Sequence, residues 1–281
     1  MNQKTLPYLL LLPATLFLLV FFVYPFVQVA VQAFAGPSGL TFDHFQTMAR
    51  NFRFWPSVRN TILLAVVVVP LQLVMALAMA STVSNLKTAR SAILYIFTIP
   101  LGLSDLASGI IWLAIFEQSG FLNSMLTSLG VVNKPILFLS YQNSWVIFVA
   151  VALAELWRAT AIVMVILVSG MGLIPKEYYE AAEVFGAGPW KRFVKVTLPM
   201  LRPSLQTALI LRTIAAFEVF AVAQALGGTT LPVLVGQIYD WQFNQRETGV
   251  AAAMAIIVLV ISIGCTLFFL RVLRTPKGAT I

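Results

Sequence analysis

Ile174-Pro-Lys-Glu-Tyr-Tyr-Glu-Ala-Ala-Glu-Val-Phe-Gly-Ala-Gly-Pro-Trp-Lys-Arg-Phe-Val-Lys-Val-Thr-Leu-Pro-Met-Leu-Arg-Pro203 reads as two short helices joined by a turn. Pro175 suits a first helical position, and the early acids Glu177 and Glu180 sit where the helix macrodipole favours them. Tyr178, Ala181, Ala182 and Phe185 fall at i, i+3, i+4 and i+7 and form one apolar stripe. Gly186 supplies a left-handed C-cap. Pro189 opens the second helix, with Trp190, Phe193 and Val194 on one side and Lys191, Arg192 and Lys195 on another. Pro199 and Pro203 close it. Two small amphipathic helices of this kind are suited to a groove on another protein, and the small Ala181 and Ala182 let a partner's backbone come close.

On both sides of this loop, taken as residues 172–203, the sequence turns strongly apolar. A helix needs about 20 apolar residues to cross the hydrocarbon core. Six runs qualify, over residues 6–34, 61–82, 91–116, 145–171, 204–226 and 250–273. Pro13, Pro25, Pro70 and Pro100 fall inside them, which a helix bundle tolerates because neighbours re-satisfy the freed backbone groups. Ala33-Phe-Ala35 looks like a signal cleavage site, but the preceding run is about twice the length of a signal core, so an uncleaved helix is expected. The expectation is an all-α integral membrane protein, a single transmembrane domain over residues 1–281 with six spans and one cytoplasmic helical hairpin.

Composition agrees. Of 281 residues, 60% are hydrophobic and 10% charged, where a soluble domain carries roughly a quarter charged. The net charge of +8 is no nucleic-acid signature, because the basic residues sit in short loops between apolar runs. With the N-terminus inside, eleven Lys and Arg lie on the inner side, Lys4, Lys87, Arg274 and Lys277 among them. Five lie outside: Arg50, Arg53, Arg59, Lys134 and Arg246. The positive-inside rule then puts both termini in the cytoplasm. The single cysteine, Cys265, excludes an internal disulfide, and the single histidine, His44, has no ligand cluster, so no metal site is expected.

A charge at the bilayer centre costs about 2.5–3.5 kcal/mol, so each one needs a reason. Asp105, Glu155, Arg158, Arg212 and Glu218 all fall within apolar runs and are the candidates for lining a solute path. Glu155 and Arg158 are spaced i, i+3 and can pair. Arg212 and Glu218, six apart, cannot simply neutralise each other. Two readings stay open: contact with a polar solute, or structural ion pairs between helices. The first suits Asp105 and Glu218, nearer the outer side, and the second suits Glu155 and Arg158. Trp112, Tyr239 and Trp241 suit interfacial anchoring better than sugar stacking. Gly186-Ala-Gly188 lacks the Gly-Lys-Ser/Thr ending of a phosphate loop, and no such ending occurs elsewhere.

Glu180-Ala-Ala, three residues, Gly186, nine residues, Val196, one residue and Leu198-Pro199 resemble the EAA signature of binding-protein-dependent ABC importer permeases. Leu11-Leu-Pro-Ala, Tyr24-Pro25, Arg59-Asn-Thr, Pro70-Leu-Gln-Leu, Ile99-Pro100, Gly109-Ile-Ile-Trp112 and Ile238-Tyr-x-x-x-Phe243 are similar to the carbohydrate and glycerol-3-phosphate branch. Departures are Phe185 where that branch commonly has Asp, Ala221 where it has Asp, and Leu226-Gly-Gly-Thr-Thr in place of Thr-Gly-Gly-Gly-Pro. The resemblance implies a non-catalytic permease subunit in a bacterial inner membrane, forming half of a path for a sugar or related polyol. Tyr178, Glu180, Ala181, Ala182, Phe185, Gly186, Leu198 and Pro199 would couple it to ATPases. It also implies a second, similar permease in a heterodimer, two cytosolic ATPase subunits that hold ATP and Mg, and an external solute-binding protein. No cofactor is expected in this chain. The rivals are an ion-coupled secondary transporter, which leaves the hairpin unexplained, and a structural assembly factor with no solute.

Overall fold

The computed structural model describes residues 6–37, 39–86 and 88–273. Lys4, Lys87, Arg274 and Lys277, which carry part of the charge bias, lie outside the described residues.

The first apolar run is α1 (Leu6–Leu18), a π-helical turn at Leu19–Val23 and α2 (Tyr24–Phe34), one continuous helical path. Pro13 lies within it without a break, and Pro25 follows directly on the π-helical turn, a local adjustment of the kind that accommodates a proline inside a membrane helix. The chain then makes a minimal hairpin, β1 (Ala35–Gly36) against β2 (Gly39–Leu40), antiparallel in the register Ala35 to Leu40. After α3 (Asp43–Arg50), α4 (Phe54–Asn85) starts seven residues before the expected 61, its Pro56 in the first turn.

The third run is not one straight helix. α5 (Arg90–Thr98) passes into a 3-10 turn at Ile99–Gly102, and the stretch Asp105–Ser128, which opens with α6 (Asp105–Phe116), leaves it at a bend of 95°. Pro100 removes a backbone donor at the break, and the Ser104 hydroxyl caps the new helix by accepting from the Ala107 amide at 3.1 Å. α7 (Phe121–Ser128) follows, and the loop after it is clamped by buried Asn123. Its Nδ2 donates to the carbonyls of Ile136 and Gln118, and its Oδ1 accepts from the Ile136 amide at 2.8 Å. α8 (Ser144–Gly172) is the best-buried long helix.

The hairpin consists of α9 (Lys176–Val184), α10 (Pro189–Arg192), a π-helical turn at Phe193–Thr197 and α11 (Leu198–Met200). The fifth run is broken as well: α12 (Arg202–Phe217) bends by 46° into α13 (Ala221–Gly227). α14 (Leu234–Tyr239), a π-helical turn at Asp240–Asn244 and α15 (Thr248–Val272) complete the described chain. Among the described residues, four helical stretches are long and apolar enough to span a membrane, and counting each of the two bent pairs as one span brings the number to six.

The chain divides into two units. Residues 1–55 with 236–260 form one, in which Ala33, Ala252 and Ala253 are buried beside Phe34, Phe45 and Ile256. His44 is used structurally there: its Nε2 donates to the Ala35 carbonyl at 2.9 Å, and its ring fills the space beside Gly249. The other unit, 56–235 with 261–281, shows two cores among its described residues. One is built on Leu64, Val68, Ile147, Val151 and Val222. The second is built on Ala76, Ala80, Val83, Met164, Leu167 and Leu201, and the hairpin's Tyr179, Phe193 and Leu198 pack against it.

Candidate functional site

Four of the five intramembrane charges converge in one cluster inside the larger unit. Arg158 on α8 meets Asp105 at the start of α6 at 2.8 Å and Glu155 on its own helix at 3.2 Å. Arg212 on α12 reaches the same Glu155 Oε2 at 3.5 Å. Gln72 on α4 completes it, accepting from Arg212 Nε at 2.8 Å and donating from Nε2 to the Glu155 carbonyl at 2.8 Å. Gln72 is 0%, Glu155 2% and Arg212 5% exposed. Two acids and two guanidiniums cancel, which is the condition under which buried charge is tolerated. Asp105 is the open end, its side chain 53% exposed. Glu218 is not part of the cluster. It sits exposed at the α12–α13 break and forms no ion pair with another described residue. Ser108 Oγ, Arg158 Nε and Thr213 Oγ1 are buried without a partner among the described residues, so part of the polar demand on α6, α8 and α12 is unmet.

The hairpin is closed by local bonds. Gly186 has φ +69°, its amide donates to the Glu183 carbonyl, and the Ala187 amide donates to the Ala182 carbonyl, both at 2.9 Å. That is the Schellman pattern, which needs a residue free to adopt the left-handed conformation. Tyr179 Oη and Thr197 Oγ1 lie 3.2 Å apart, and Glu183 pairs with Arg192 at 3.4 Å, so α9 is tied to the helices after the turn. The stripe expected at Tyr178, Ala181, Ala182 and Phe185 points mainly away from the membrane-spanning body. Tyr178, Ala181 and Phe185 are exposed and only Ala182 is half-buried, while Val184 and Trp190 add to the outward apolar surface. Glu180 is exposed, Leu198 packs on the core, and Pro199 lies within α11. Trp112 stacks on Phe116 and meets Trp157 edge-on, and Trp241 is buried.

Residues 72–274 match the family described as "Binding-protein-dependent transport system inner membrane component". The chain belongs to that family. Its membership accounts for a multi-pass, all-α permease of an ABC importer and sets aside the ion-coupled and assembly-factor rivals.

Among relatives, the permease is 30% identical to the sulfoquinovosyl glycerol transport system permease protein SmoG of Agrobacterium fabrum, over 98% of this chain and 92% of that protein. It is 29% identical to the arabinooligosaccharides transport system permease protein AraP of Bacillus subtilis, over 99% and 91%. It is also 29% identical to the trehalose/maltose transport system permease protein MalF of Thermococcus litoralis, over 97% and 95%. Two crystal structures share the fold, one of a bacterial ABC transporter involved in alginate import and one of a bacterial alginate ABC transporter with its pentasaccharide-bound periplasmic protein. Their TM-scores are 0.83 and 0.84 at 24% and 22% identity, with 99% and 100% of the permease and 98% of each matched chain covered.

Two residues of the permease's candidate site escape the sequence reading. Gln72 is a lone amide in an apolar run, and its partners lie 83 and 140 positions away. Tyr179, beside the stripe and not in it, is the residue that seats α9 on the body. Among the described residues, no group of three or more His, Cys, Asp or Glu is placed to hold a metal ion.

Proposed function

We propose that the permease forms half of the path of an ATP-driven bacterial importer for a sugar or related polyol, with both termini cytoplasmic. Its partners in this reading are a second, different permease, two cytosolic ATPases that carry ATP and Mg, and an external protein that delivers the solute. The observation that carries the reading is the outward apolar surface of the hairpin. Phe185 is 85% exposed, beside Tyr178, Val184 and Trp190, on helices otherwise fastened to the body. Apolar area of this kind facing water is unfavourable by about 25 cal/mol per Å2 until something covers it. A groove on an ATPase would do so, with Glu180 meeting a basic group there. ATP-driven closure of the two ATPases would draw two such hairpins together and turn the cavity between the permeases outward. The solute class follows the three relatives named for sugar-containing solutes.

The test is reconstitution of the complete complex with Ala181→Trp, a bulky change on an exposed helix surface. This variant should still bind the solute-binding protein and lose solute-stimulated ATP hydrolysis. Full coupling, or ATPases docked elsewhere, would overturn the reading. Cysteine labelling from outside, reaching position 240 and failing at 180, tests the orientation.

A further inference from the structure

At the end of α8 away from the hairpin, a cavity of about 170 Å3 lies between the start of α4, the start of α8 and the turn after α13. Twenty-nine helical residues separate it from the hairpin's end of α8, about 43 Å at 1.5 Å per residue. Its walls join Arg59 and Asn60, of the Arg59-Asn-Thr stretch, to Thr230, the last residue of the Gly-Gly-Thr-Thr turn, with Ser144, Trp145 and Phe148 between them.

These walls are fixed in place. Asn60, 7% exposed, donates from Nδ2 to the Pro232 carbonyl at 3.0 Å, and Thr61 Oγ1 accepts from the Leu234 amide at 3.0 Å. A carbonyl only accepts, so Nδ2 is the atom facing Pro232 and Oδ1 is left over. That oxygen accepts no hydrogen bond from a described residue, and Arg59 forms no ion pair with one. Trp145 lies parallel to Phe148 at 5.0 Å and 9°, which holds a broad indole face at the mouth, 66% exposed.

We propose that this cavity is a subsite for one six-membered sugar ring of the solute, distinct from the charge cluster; the proposal rests on the sugar-class reading above. The C–H face of such a ring covers the Trp145 indole. Its hydroxyls donate to Asn60 Oδ1 and accept from the Arg59 fork, using both halves of the hydroxyl's capacity. Space for about six waters at roughly 30 Å3 each admits a single ring, not a chain. A lipid phosphodiester would satisfy Arg59 but brings no donor for the unpaired Asn60 oxygen, so the cavity favours a polyhydroxylated ring over such an anion. An acidic sugar meets both demands at once.

Saturation-transfer NMR on the complete complex in detergent, without the solute-binding protein, tests the proposal. The probes are methyl α-D-glucopyranoside, methyl β-D-glucuronide and inorganic phosphate. At least one glycoside should give ring-proton transfer that phosphate does not displace. Trp145→Ala and Arg59→Gln should each weaken it about tenfold or more, and Trp145→Phe, which keeps an aromatic face, should retain most of it. No transfer in the unmodified complex, or transfer that survives both variants, overturns the proposal. So does displacement by phosphate, which marks an anion site, or loss with Asp105→Asn alone, which moves the ring to the charge cluster. The readout requires no ATP hydrolysis, so the uncoupled Ala181→Trp complex should bind the glycoside normally. Failure of the ATPase reading and failure of the subsite are thereby separable.

Discussion

Arg212 on α12 donates from Nε to Gln72 Oε1 on α4 at 2.8 Å, and the same Gln72 amide donates to the Glu155 carbonyl on α8 at 2.8 Å. One side chain, wholly buried, thus bridges three helices and spends both ends of its amide. A buried amide in that state carries little penalty, whereas a half-satisfied one carries most of its desolvation.

Removing Arg212 leaves Glu155 buried beside a single remaining cation, Arg158. Arg212→Met should lower the stability of the permease by about 3 kcal/mol or more. Gln72→Leu, which orphans Arg212 Nε, should cost about 1–3 kcal/mol. Glu218→Gln should leave stability unchanged, since that carboxylate is exposed and outside the cluster. Thermal unfolding in detergent ranks the three. Equal melting of Arg212→Met and the parent chain would refute the structural role.

The crossing of α6 and α13 is close. A β-carbon at Gly109 would lie 2.8 Å from the Ala225 side chain and 3.2 Å from the Val222 backbone. Gly109→Ala should destabilise by about 1–3 kcal/mol, as overpacking does. Ala225→Gly in the same chain should recover part of the loss, because it removes the nearest obstructing atom. A double-mutant cycle on unfolding midpoints reads the coupling, and strict additivity would show the crossing to be looser than described.

At Gly186 the space is open, with nothing within 4 Å of an added β-carbon, so substitution there costs conformation alone. Gly186→Asn, which tolerates the left-handed region, should behave nearly as the parent. Gly186→Val should cost on the order of 1–2 kcal/mol and loosen the turn. Hydrogen exchange at the amides of residues 186 and 187 should accelerate in the Val variant and not in the Asn variant. Equal rates in both would mean that the left-handed geometry matters little.

Asp240 accepts from Asn244 and Gln245, each at 2.8 Å. The Asn244 bond most of all holds its carboxyl below the ordinary range; burial opposes it, and the Gln245 bond and nearby Arg53 add to the lowering. A depressed carboxylate stabilises fully above its unfolded value, and the contribution disappears as pH falls through the folded one. Asp240→Asn should therefore melt slightly earlier than the parent at pH 7, and the two should converge in acid below the carboxylate range. A constant gap at all pH values would show that ionisation is not the cause.

The apolar runs and the hairpin were legible because each is a local pattern: length for the spans, helical period for α9, and a glycine at the position where the Schellman turn needs it. The break between α5 and α6 was also written locally, in Pro100, Gly102 and the capping Ser104, but the surrounding run is apolar enough to read as one span. Gln72 was not legible, since its partners are distant in sequence and only the fold brings them near. The stripe on α9 shows why period alone falls short. It groups Tyr178, Ala181 and Phe185 correctly, yet nothing in a periodicity says which face the body covers, and Tyr179 covers the other.

The cancellation of charge in the Asp105–Glu155–Arg158–Arg212 cluster bears on membrane voltage. One elementary charge carried across the whole potential exchanges about 2.3 kcal/mol per 100 mV with the field. Two ionised acids and two guanidiniums that travel together exchange none. A helix rearrangement that translates these four side chains together, without turning the cluster, is therefore electrically silent at this point of the fold. Separating Arg158 from Asp105 along the membrane normal is the motion of this pair on which the field would do work.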